Sequence, residues 1–419
     1  MAPVDRPRKS RWEEADDDKH QSRSSSRSRA PYQKRRPEPA PIPREPTSPA
    51  HTIEPTERTT GTTERTTGTT ERTTEPTDTK AQPSRLPAIL PTHLAQDFGH
   101  LSSCRPIDQC YERLNKIEEG TYGIVYRARD LATDEIVALK HLKLDQERNG
   151  FPITSLREIH TLLLAKHPNI INVREIVVGK SLNSIYMVMD FMDHDLRSLM
   201  ESMRAPFQPS EVKALALQLC RAVAHLHDNW IVHRDLKTSN LLMARGALRV
   251  ADFGLARKYS SPLGHMTGLV VTLWYRAPEL LMGEKEYSTA VDVWSIGCIF
   301  AELFVGEPVF QGRGEIDQIN KIFAACGPPT EDNWPDFGQL PNAKMFKFNP
   351  HKDPSKRLNV RMQKYAGITE NAYDLLAQML ALDPKQRITA CQALEHPYFA
   401  EHPPPKDPSM FPTWPSKSQ

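Results

Sequence analysis

The sequence predicts an α+β fold of two lobes: a small lobe mainly of β-strands with one helix, and a larger, mainly helical lobe, preceded by a disordered tail. Three observations lead to this prediction. Apolar strand patterns flank a glycine turn at residues 114–126. Three polar strings follow in order, HRDLKTSN at 233–240, ADFGLAR at 251–257 and APE at 277–279. By contrast, residues 1–100 are rich in Pro, Thr, Ser and Arg and contain almost no periodic pattern of apolar residues. This composition predicts disorder.

The predicted tail contains a basic run and a repeat. The segment Ser22–Arg29 consists entirely of serine and arginine, and the basic Lys34–Arg36 follows. Such a run suits a nuclear-import signal, a substrate of serine-arginine kinases, an RNA-contacting arm or a merely solvated segment. The acidic Asp16–Asp18 and the formal net charge of +2 argue against direct nucleic-acid binding. The unit TERTTGT and its variant TERTTEP recur within Thr56–Pro76 without apolar heptad positions, which predicts a flexible spacer.

The length and composition suit one tailed catalytic unit. At 419 residues the chain exceeds the usual single-domain size, so we expect a two-lobed unit of roughly 300 residues. No apolar stretch is long enough to span a bilayer, and Asp5, Arg6 and Arg8 lack the apolar core of a secretory signal. We expect a soluble intracellular protein without a membrane partner. The six cysteines show no CxxC spacing and predict reduced packing residues.

The three polar strings divide the parts of one phosphoryl transfer. Asp235 is placed to accept the proton of a substrate hydroxyl, and Lys237, two residues along, can reach the transferring phosphate. Asn240 and Asp252 are hard oxygen donors suited to Mg²⁺, which bridges nucleotide phosphates. Each string alone is a weak signal, whereas the ordered set strongly indicates a catalytic site.

The upstream half supplies a nucleotide-binding pattern. Gly120 and Gly123 lie in a turn between apolar strands, where backbone amides can cover phosphates. Alone, this pair would predict an ordinary hairpin turn. The apolar strand VALK follows and ends at Lys140, placed to meet the α and β phosphates of ATP. A helical stretch then carries Glu158, and we expect Lys140 and Glu158 to form an ion pair that can act as a switch.

These motifs resemble those of the eukaryotic protein kinases, and specifically of the cyclin-dependent kinases of the PITSLRE group. Residues 152–158 spell PITSLRE, and further matching segments include IEEGTYG, DNWIVHRDLKTSNLL, EYSTAVDVWSIGCIF and DPSMFPTWPSKS. The resemblance extends from about Arg105 to the C-terminus. Glu118 stands where most kinases have the first glycine of the loop, but the PITSLRE group shares this departure. A carboxylate at this position would lower the affinity for ATP if it pointed toward the phosphates, so the sequence does not fix that affinity.

The resemblance implies a domain plan and an adenine site. It implies a protein kinase domain at 111–399, with the small lobe at 111–195 and the large lobe at 196–399, between the tail at 1–100 and a C-terminal extension at 400–419. ATP would bind between the lobes, with Met189 at the back of its pocket. Further residues carried over to the nucleotide site are the hinge pair Asp190 and Met192, which offer backbone groups, and the apolar Ile117, Val125, Ala138 and Leu242.

The resemblance also implies regulation by phosphate groups. Thr267 occupies the position that an activating kinase phosphorylates in relatives, and a phosphate there requires several arginines to order its loop. Arg157, Arg234 and Arg257 match the three arginines that gather it. In the family, Thr121 and Tyr122 match inhibitory phosphorylation sites on the glycine turn.

Other positions match the substrate site and its structural support. Val270–Thr272 shape a pocket for the proline that follows the phosphorylated residue, and proline suits a pocket without a hydrogen-bond acceptor because it lacks an amide hydrogen. Glu279 and Arg387 match a structural ion pair, and Asp292 matches the brace of the catalytic loop.

Taken together, the resemblance implies a cyclin-dependent, proline-directed serine/threonine kinase that uses ATP and Mg²⁺. It implies an L-type cyclin at the PITSLRE helix, a role in transcription, pre-mRNA processing or cell-cycle control, and a nuclear location with the cytoplasm as the alternative. A pseudokinase scaffold would predict loss of Lys140, Asp235 or Asp252, and all three are present. An RNA-binding module would predict aromatic residues among the basic ones of the tail, where only Trp12 and Tyr32 occur.

Overall fold

The computed structural model describes residues 104–119, 123–143, 151–180, 184–260, 272–346, 357–365 and 367–415. All of them belong to one compact unit of the chain, Leu86–Gln419. Several predictions therefore concern positions outside the described residues: the tail at 1–100, Gly120, Thr121, Tyr122, Thr267, Val270 and Val271.

One mixed sheet forms the small lobe. Its strands are β1 (Arg105–Pro106), β2 (Tyr111–Glu119), β3 (Gly123–Asp130), β4 (Ile136–Leu142), β5 (Val173–Val178) and β6 (Ile185–Asp190). Their order across the sheet is β1-β5-β6-β4-β3-β2. Strands β1 and β5 are parallel, and the other neighbours are antiparallel. The short helix α1 (Ile107–Cys110) connects β1 to β2.

The alternation of β4 sorts its residues between two faces. Val137 and Leu139 are fully buried in an apolar cluster that includes Val188. Because successive strand residues face opposite sides of a sheet, Ala138 and Lys140 face away from this cluster. The strand therefore directs Lys140 toward the helix that covers the other face of the sheet.

That helix, α2 (Ile153–Leu164), carries the PITSLRE sequence. It begins directly after Pro152, a residue that helix starts tolerate because their first amides have no partner within the helix. Glu158 is buried on the inner side, whereas the side chains of Ile153 and Leu156 are exposed. Helix α2 therefore presents large apolar side chains to solvent, at Ile153 and Leu156 in its first turns and at Leu164 at its end.

The large lobe is mainly helical. Every residue of its central helix except the last, Val305, is buried, and Trp294 has no exposed surface. A helix that is apolar on all sides belongs in a core, and the other helices pack around this one. The helices of this lobe are α3 (Leu196–Ser202), α4 (Pro209–Asp228), α5 (Pro278–Leu281), α6 (Ala290–Val305), α7 (Glu315–Cys326), α8 (Leu358–Met362), α9 (Glu370–Met379) and α10 (Ala390–Leu394).

Two small sheets bring the polar strings together. One contains β7 (His194–Asp195), β9 (Leu241–Ala244) and β10 (Ala247–Val250), and the other pairs β8 (Ile231–Val232) with β11 (Arg257–Lys258). Residues 233–240 connect β8 to β9, and residues 251–256 connect β10 to β11. Because these strands pair, the two connections lie side by side.

The described part of the C-terminal extension packs on the large lobe. The buried Lys213 donates to the backbone carbonyls of Glu401 and Pro403, at 2.8 and 2.9 Å. At Gly246, which has a φ of +75°, an added Cβ would lie 2.0 Å from the carbonyl oxygen of Pro408. Glycine is therefore needed at that turn for both conformation and space.

The predicted architecture of a small β-rich lobe and a larger helical lobe is confirmed. Within the described residues, no helix combines the length and apolar character that crossing a bilayer requires.

Candidate active site

The ammonium of Lys140 contacts carboxylates from both lobes. Its Nζ lies 2.5 Å from Oε1 of Glu158 on α2 and 3.6 Å from Oδ1 of Asp252 after β10. Burial of Lys140 favours its neutral form, but the charges of Glu158 and Asp252 outweigh burial and raise the pKa of Lys140 above its usual value. Lys140 therefore stays positively charged, and these contacts hold its ammonium between helix α2 and the large lobe.

The carboxylate of Asp235 has partners at both oxygens. Lys237 Nζ lies 2.8 Å from Oδ2, and the Asn240 side-chain nitrogen donates to the same oxygen at 3.1 Å. The backbone amide and the hydroxyl of Thr272 donate to Oδ1 at 3.2 and 3.3 Å. Asp235 is thus held in one orientation by residues from its own loop and from the segment before APE.

Asn240 and Asp252 fit the oxygen-donor set of a small divalent cation. The amide nitrogen of Asn240 is engaged with Asp235, which leaves its amide oxygen as a ligand atom. Oδ1 of Asp252 is buried and accepts no hydrogen bond, and the residue has a φ of +62°. Among the described residues no group of three or more His, Cys, Asp or Glu side chains could hold a metal. Two protein ligands suit Mg²⁺, which usually keeps waters and substrate phosphates.

The predicted adenine-site residues come from both lobes. Strand pairing sets Val125 opposite Lys140 and Ala138 opposite Met189, while Leu242 lies on β9 of the large lobe. Ile117 lies on β2, where the register with β3 shifts, and is 42% exposed.

The glycine turn and the hinge add two backbone details. At Gly123, an added Cβ would lie 2.5 Å from the backbone oxygen of His141, so glycine is required for close approach. The backbone amide of Asp190 donates to Asn172, so its carbonyl is the group left to meet adenine. Met192 follows β6 in the segment between the lobes and packs against the large-lobe core.

The three predicted phosphate-binding arginines influence one another. Burial lowers the pKa of Arg257, and the positive charges of Arg234 and Arg157 lower it further. Arg234 is buried and donates to Leu255 O and to the Tyr287 hydroxyl, at 2.8 and 2.6 Å. Guanidinium groups that converge in this way favour an anionic ligand. Thr267 lies outside the described residues.

Two buried polar arrangements support the site. Asp292 accepts from the backbone amides of His233 and Arg234 at 2.8 and 2.9 Å, and Nε2 of His227 lies 3.0 Å from it. Burial would raise the pKa of Asp292, but the contact with His227, the charge of His233 and the amide bond from Arg234 lower it below its usual value. Arg387 forms a bidentate pair with Glu279 at 2.7 and 2.9 Å.

Comparison with known proteins agrees with this geometry. The family model described as the protein kinase domain matches residues 111–399. Cyclin-dependent kinase 11 of Dictyostelium discoideum is 54% identical over 316 residues, which are 75% of this chain and 87% of that protein. This chain belongs to the protein kinase family, in the PITSLRE group of its cyclin-dependent branch.

Longer relatives of this PITSLRE-group chain match as well. Human cyclin-dependent kinase 11B is 56% identical over 338 residues, 80% of this chain. The serine/threonine-protein kinase PITSLRE of Drosophila melanogaster is 55% identical over 326 residues, 76% of this chain. The chain spans 42% of the length of the human relative and 34% of the length of the fly one.

Sequence reasoning missed two features of this PITSLRE-group site. Asp190 forms ion pairs with Arg174 of the small lobe, at 2.7 Å, and with Arg249 of the large lobe. The second feature is a set of buried hydroxyl and carboxyl groups behind the catalytic loop, contributed by Thr238, Tyr275 and Glu302. No local sequence motif predicts either feature, because the partners are far apart along the chain. A buried glutamate within the apolar run of α6 was the available signal.

Proposed function

We propose that this chain is a cyclin-dependent, proline-directed serine/threonine protein kinase that transfers the γ-phosphoryl group of ATP to protein hydroxyls. One observation carries the proposal: a lysine of the small lobe contacts a metal-site residue of the large lobe, and that segment is hydrogen-bonded to the catalytic loop. Lys140 lies 3.6 Å from Asp252, and Asn240 donates to Asp235 at 3.1 Å. Membership of the protein kinase family supports the same reaction.

In this mechanism Asp235 receives the proton of the substrate hydroxyl. Lys237 and Asn240 hold one of its oxygens and Thr272 the other, so the carboxylate needs little reorganisation when the hydroxyl attacks. Lys237 belongs to the same loop, and its ammonium lies close enough to Asp235 to neutralise charge on the phosphoryl group during transfer. Positioning and charge stabilisation therefore provide the catalysis, as phosphoryl transfer requires.

The nucleotide and metal are held by the remaining residues. Lys140, fixed by Glu158, would contact the α and β phosphates, and the apolar side chains Val125, Ala138 and Leu242 would contact the adenine ring. Asn240 and Asp252 would hold Mg²⁺, which would supply positive charge against the phosphates. Oδ1 of Asp252 is buried and accepts no hydrogen bond, although the Lys140 ammonium lies 3.6 Å away, and this supports the assignment.

Regulation of the proposed kinase depends on cyclin binding to α2 and on phosphorylation. An L-type cyclin binds α2 through its exposed Ile153 and Leu156 and holds Glu158 against Lys140. An activating kinase phosphorylates Thr267, and Arg157, Arg234 and Arg257 bind the phosphate. Phosphorylation of Thr121 or Tyr122 inhibits, because their phosphates repel those of ATP.

The proposed substrates and location follow the sequence features. In the substrate, proline follows the phosphorylated serine or threonine. The substrates include serine-arginine proteins that act in transcription and pre-mRNA processing in the nucleus. The serine-arginine run of Ser22–Arg29 supports this location.

The test measures transfer of radiolabelled phosphate from ATP to a serine-arginine peptide containing Ser-Pro, with and without an L-type cyclin. A matched peptide with Ala after the serine serves as control. We expect the Ser-Pro peptide and the cyclin to be required, and Asp252→Asn to abolish transfer while thermal unfolding is unchanged. Thr267→Ala should lower the rate and leave ATP binding intact. Equal turnover of both peptides would exclude proline direction, and activity in Asp252→Asn would exclude the metal assignment.

A further inference from the structure

Three polar side chains meet in the core directly behind the catalytic loop. The hydroxyl oxygens of Thr238 and Tyr275 are 3.1 Å apart. The Thr238 hydroxyl lies 3.1 Å from Oε1 of Glu302, and the Tyr275 hydroxyl lies 2.8 Å from Oε2. All three residues are at most 2% exposed. We name these three side chains the hydroxyl-carboxyl ring.

Each member of the ring belongs to a different part of the site. Thr238 follows Lys237 and begins the 3₁₀ turn that ends at Asn240. Tyr275 ends a second 3₁₀ turn, which begins directly after Thr272. Glu302 is in α6, the central helix of the core. The ring therefore joins the catalytic loop and the segment before APE to the buried central helix of the large lobe.

The number of hydrogens in the ring indicates the protonation state of Glu302. Three oxygen-to-oxygen contacts of hydrogen-bond length each require one hydrogen. Each hydroxyl supplies one hydrogen, and an ionised carboxylate supplies none, so an ionised Glu302 leaves one contact without a proton. A protonated Glu302 donates to Thr238, Thr238 donates to Tyr275, and Tyr275 donates to the other carboxyl oxygen. Only the protonated form satisfies all three contacts.

The charged groups around Glu302 are compatible with the neutral form. Burial raises the pKa of Glu302 to about 7, although the hydroxyls of Tyr275 and Thr238 act in the opposite direction. From α3, Arg197 lowers this pKa and Glu201 raises it. These two residues form an ion pair with each other, with N and O 3.0 Å apart. Burial also raises the pKa of Tyr275, which keeps its hydroxyl hydrogen in place.

We propose that Glu302 is a protonated carboxylic acid in a closed hydrogen-bond ring with Thr238 and Tyr275, and that this ring positions the catalytic loop against the segment that receives the protein substrate. Thr238, Tyr275 and Glu302 are positioning residues, since they act through Asp235 and Thr272. The part of the inference that concerns catalysis rests on the proposed kinase activity. The protonation of Glu302 does not.

The protonation is tested by unfolding the full chain at several pH values. A glutamate whose folded pKa is about 7, above its unfolded value, adds stability below the unfolded pKa and loses it as pH rises through the folded pKa. Glutamine keeps the ring at every pH, because its amide donates to Thr238 and its oxygen accepts from Tyr275. We therefore expect the parent to lose stability relative to Glu302→Gln between about pH 5 and about pH 8.

A second measurement on the same proteins is independent of stability. The infrared spectrum of the parent minus that of Glu302→Gln should contain the carbonyl band of a protonated carboxylic acid at about pH 5, and this band should disappear as the pH rises through the folded pKa of about 7. Parallel stability curves, together with a carboxylate band in its place, would overturn the protonated ring. Neither measurement needs kinase activity, so both decide the ring even if the proposed reaction is wrong.

The positioning role is tested by steady-state kinetics with the cyclin and the Ser-Pro peptide. Thr238→Val keeps the shape and removes the hydroxyl, and we expect it to lower kcat about tenfold while the KM for ATP changes less than about twofold. Thr238→Ser should restore most of the rate, and Glu302→Gln should remain near the parent. Equal kcat in Thr238→Val and Thr238→Ser would overturn the role. Loss of activity in Glu302→Gln would do the same.

Ser295→Ala provides the matched control. Ser295 is a buried hydroxyl on α6 whose partners are the backbone carbonyls of Tyr275 and Val291, at 3.0 and 3.2 Å. Its removal costs a buried hydrogen bond to the backbone of Tyr275 but leaves all three side-chain contacts of the ring in place, so we expect kcat to remain near that of the parent. A tenfold loss in this control would show that any buried hydroxyl of α6 matters equally, which would also overturn the specific role of the ring.

Discussion

The two lobes hold their halves of the site in different ways. In the large lobe, Asp292 accepts two backbone amides of the catalytic loop from within the core, and Asp235 has partners at both oxygens. In the small lobe, Lys140 depends on one carboxylate of its own lobe, Glu158 on α2. The outer face of that helix exposes Ile153 and Leu156.

This difference indicates where control can act. The large-lobe half is built into a buried polar framework, so the orientation of Asp235 does not depend on α2. The small-lobe half depends on the position of one helix, and exposed apolar side chains on that helix suit a protein partner that would cover them. A switch placed there changes activity without disturbing the core.

The largest effect should come from the catalytic carboxylate itself. Asp235→Asn keeps the shape but cannot accept the proton of the hydroxyl, and we expect the rate to fall by about a thousandfold with or without cyclin. Circular dichroism should show an intact fold. A cyclin that restored the variant to within tenfold of the parent would contradict the view that the large-lobe half is complete by itself.

The next effect concerns the stability of the large lobe. Arg387→Met leaves Glu279 buried without its partner, so we expect a loss of about 3–5 kcal/mol in the free energy of unfolding, measured by chemical denaturation. The control is Lys385→Met, two residues away, which removes an exposed pair with Asp336. Water solvates both groups of that pair, so stability should hardly change. Similar losses in the two variants would contradict the buried framework.

A change on the outer face of α2 should separate the lobes functionally. Leu156→Asp places a charge on the proposed cyclin surface, and we expect the cyclin-stimulated rate to fall about tenfold while the basal rate is unchanged. Leu131→Asp is the matched control, since Leu131 is also an exposed leucine of the small lobe but lies in the turn after β3. If both variants respond to cyclin as the parent does, α2 is not the binding surface.

The smallest effect is expected where the lobes join. Asp190→Asn weakens the pairs with Arg174 and Arg249, which are partly exposed, so the KM for ATP should rise about threefold with little change in kcat. Glu135→Gln, which removes only the outer partner of Arg174, is the control and should leave this KM unchanged. Equal KM values in the parent and Asp190→Asn would show that these pairs do not position the hinge.

Much of the site could be predicted from local patterns. The strings around Asp235 and Asp252 fall on connections between paired strands, and the alternation of VALK directs Lys140 away from the small-lobe core. The roles assigned to these residues remain predictions, although the structure brings Lys140, Asp235, Asn240 and Asp252 into contact with one another or with shared neighbours. Such patterns succeed because a short segment contains both the functional group and the turn that presents it.

Distant partnerships escaped the same reasoning. Thr238 and Glu302 are 64 residues apart, and Thr238 and Tyr275 are 37 apart, so no spacing rule relates them. Asp190 was assigned only backbone roles, yet its side chain joins arginines of both lobes. These contacts arise when separate elements pack, and burial then selects which polar groups must find partners.

The amino-acid sequence alone determined the two-lobed α+β architecture, the family resemblance and the candidate catalytic residues, because these depend on periodicity and on short motifs. Only the tertiary structure decided which oxygens of Asp235 are held, that Glu302 lies buried beside two hydroxyls, and that α2 exposes Ile153 and Leu156. The physical reason is that protonation, charge and exposure depend on neighbours that the fold brings together from distant parts of the chain.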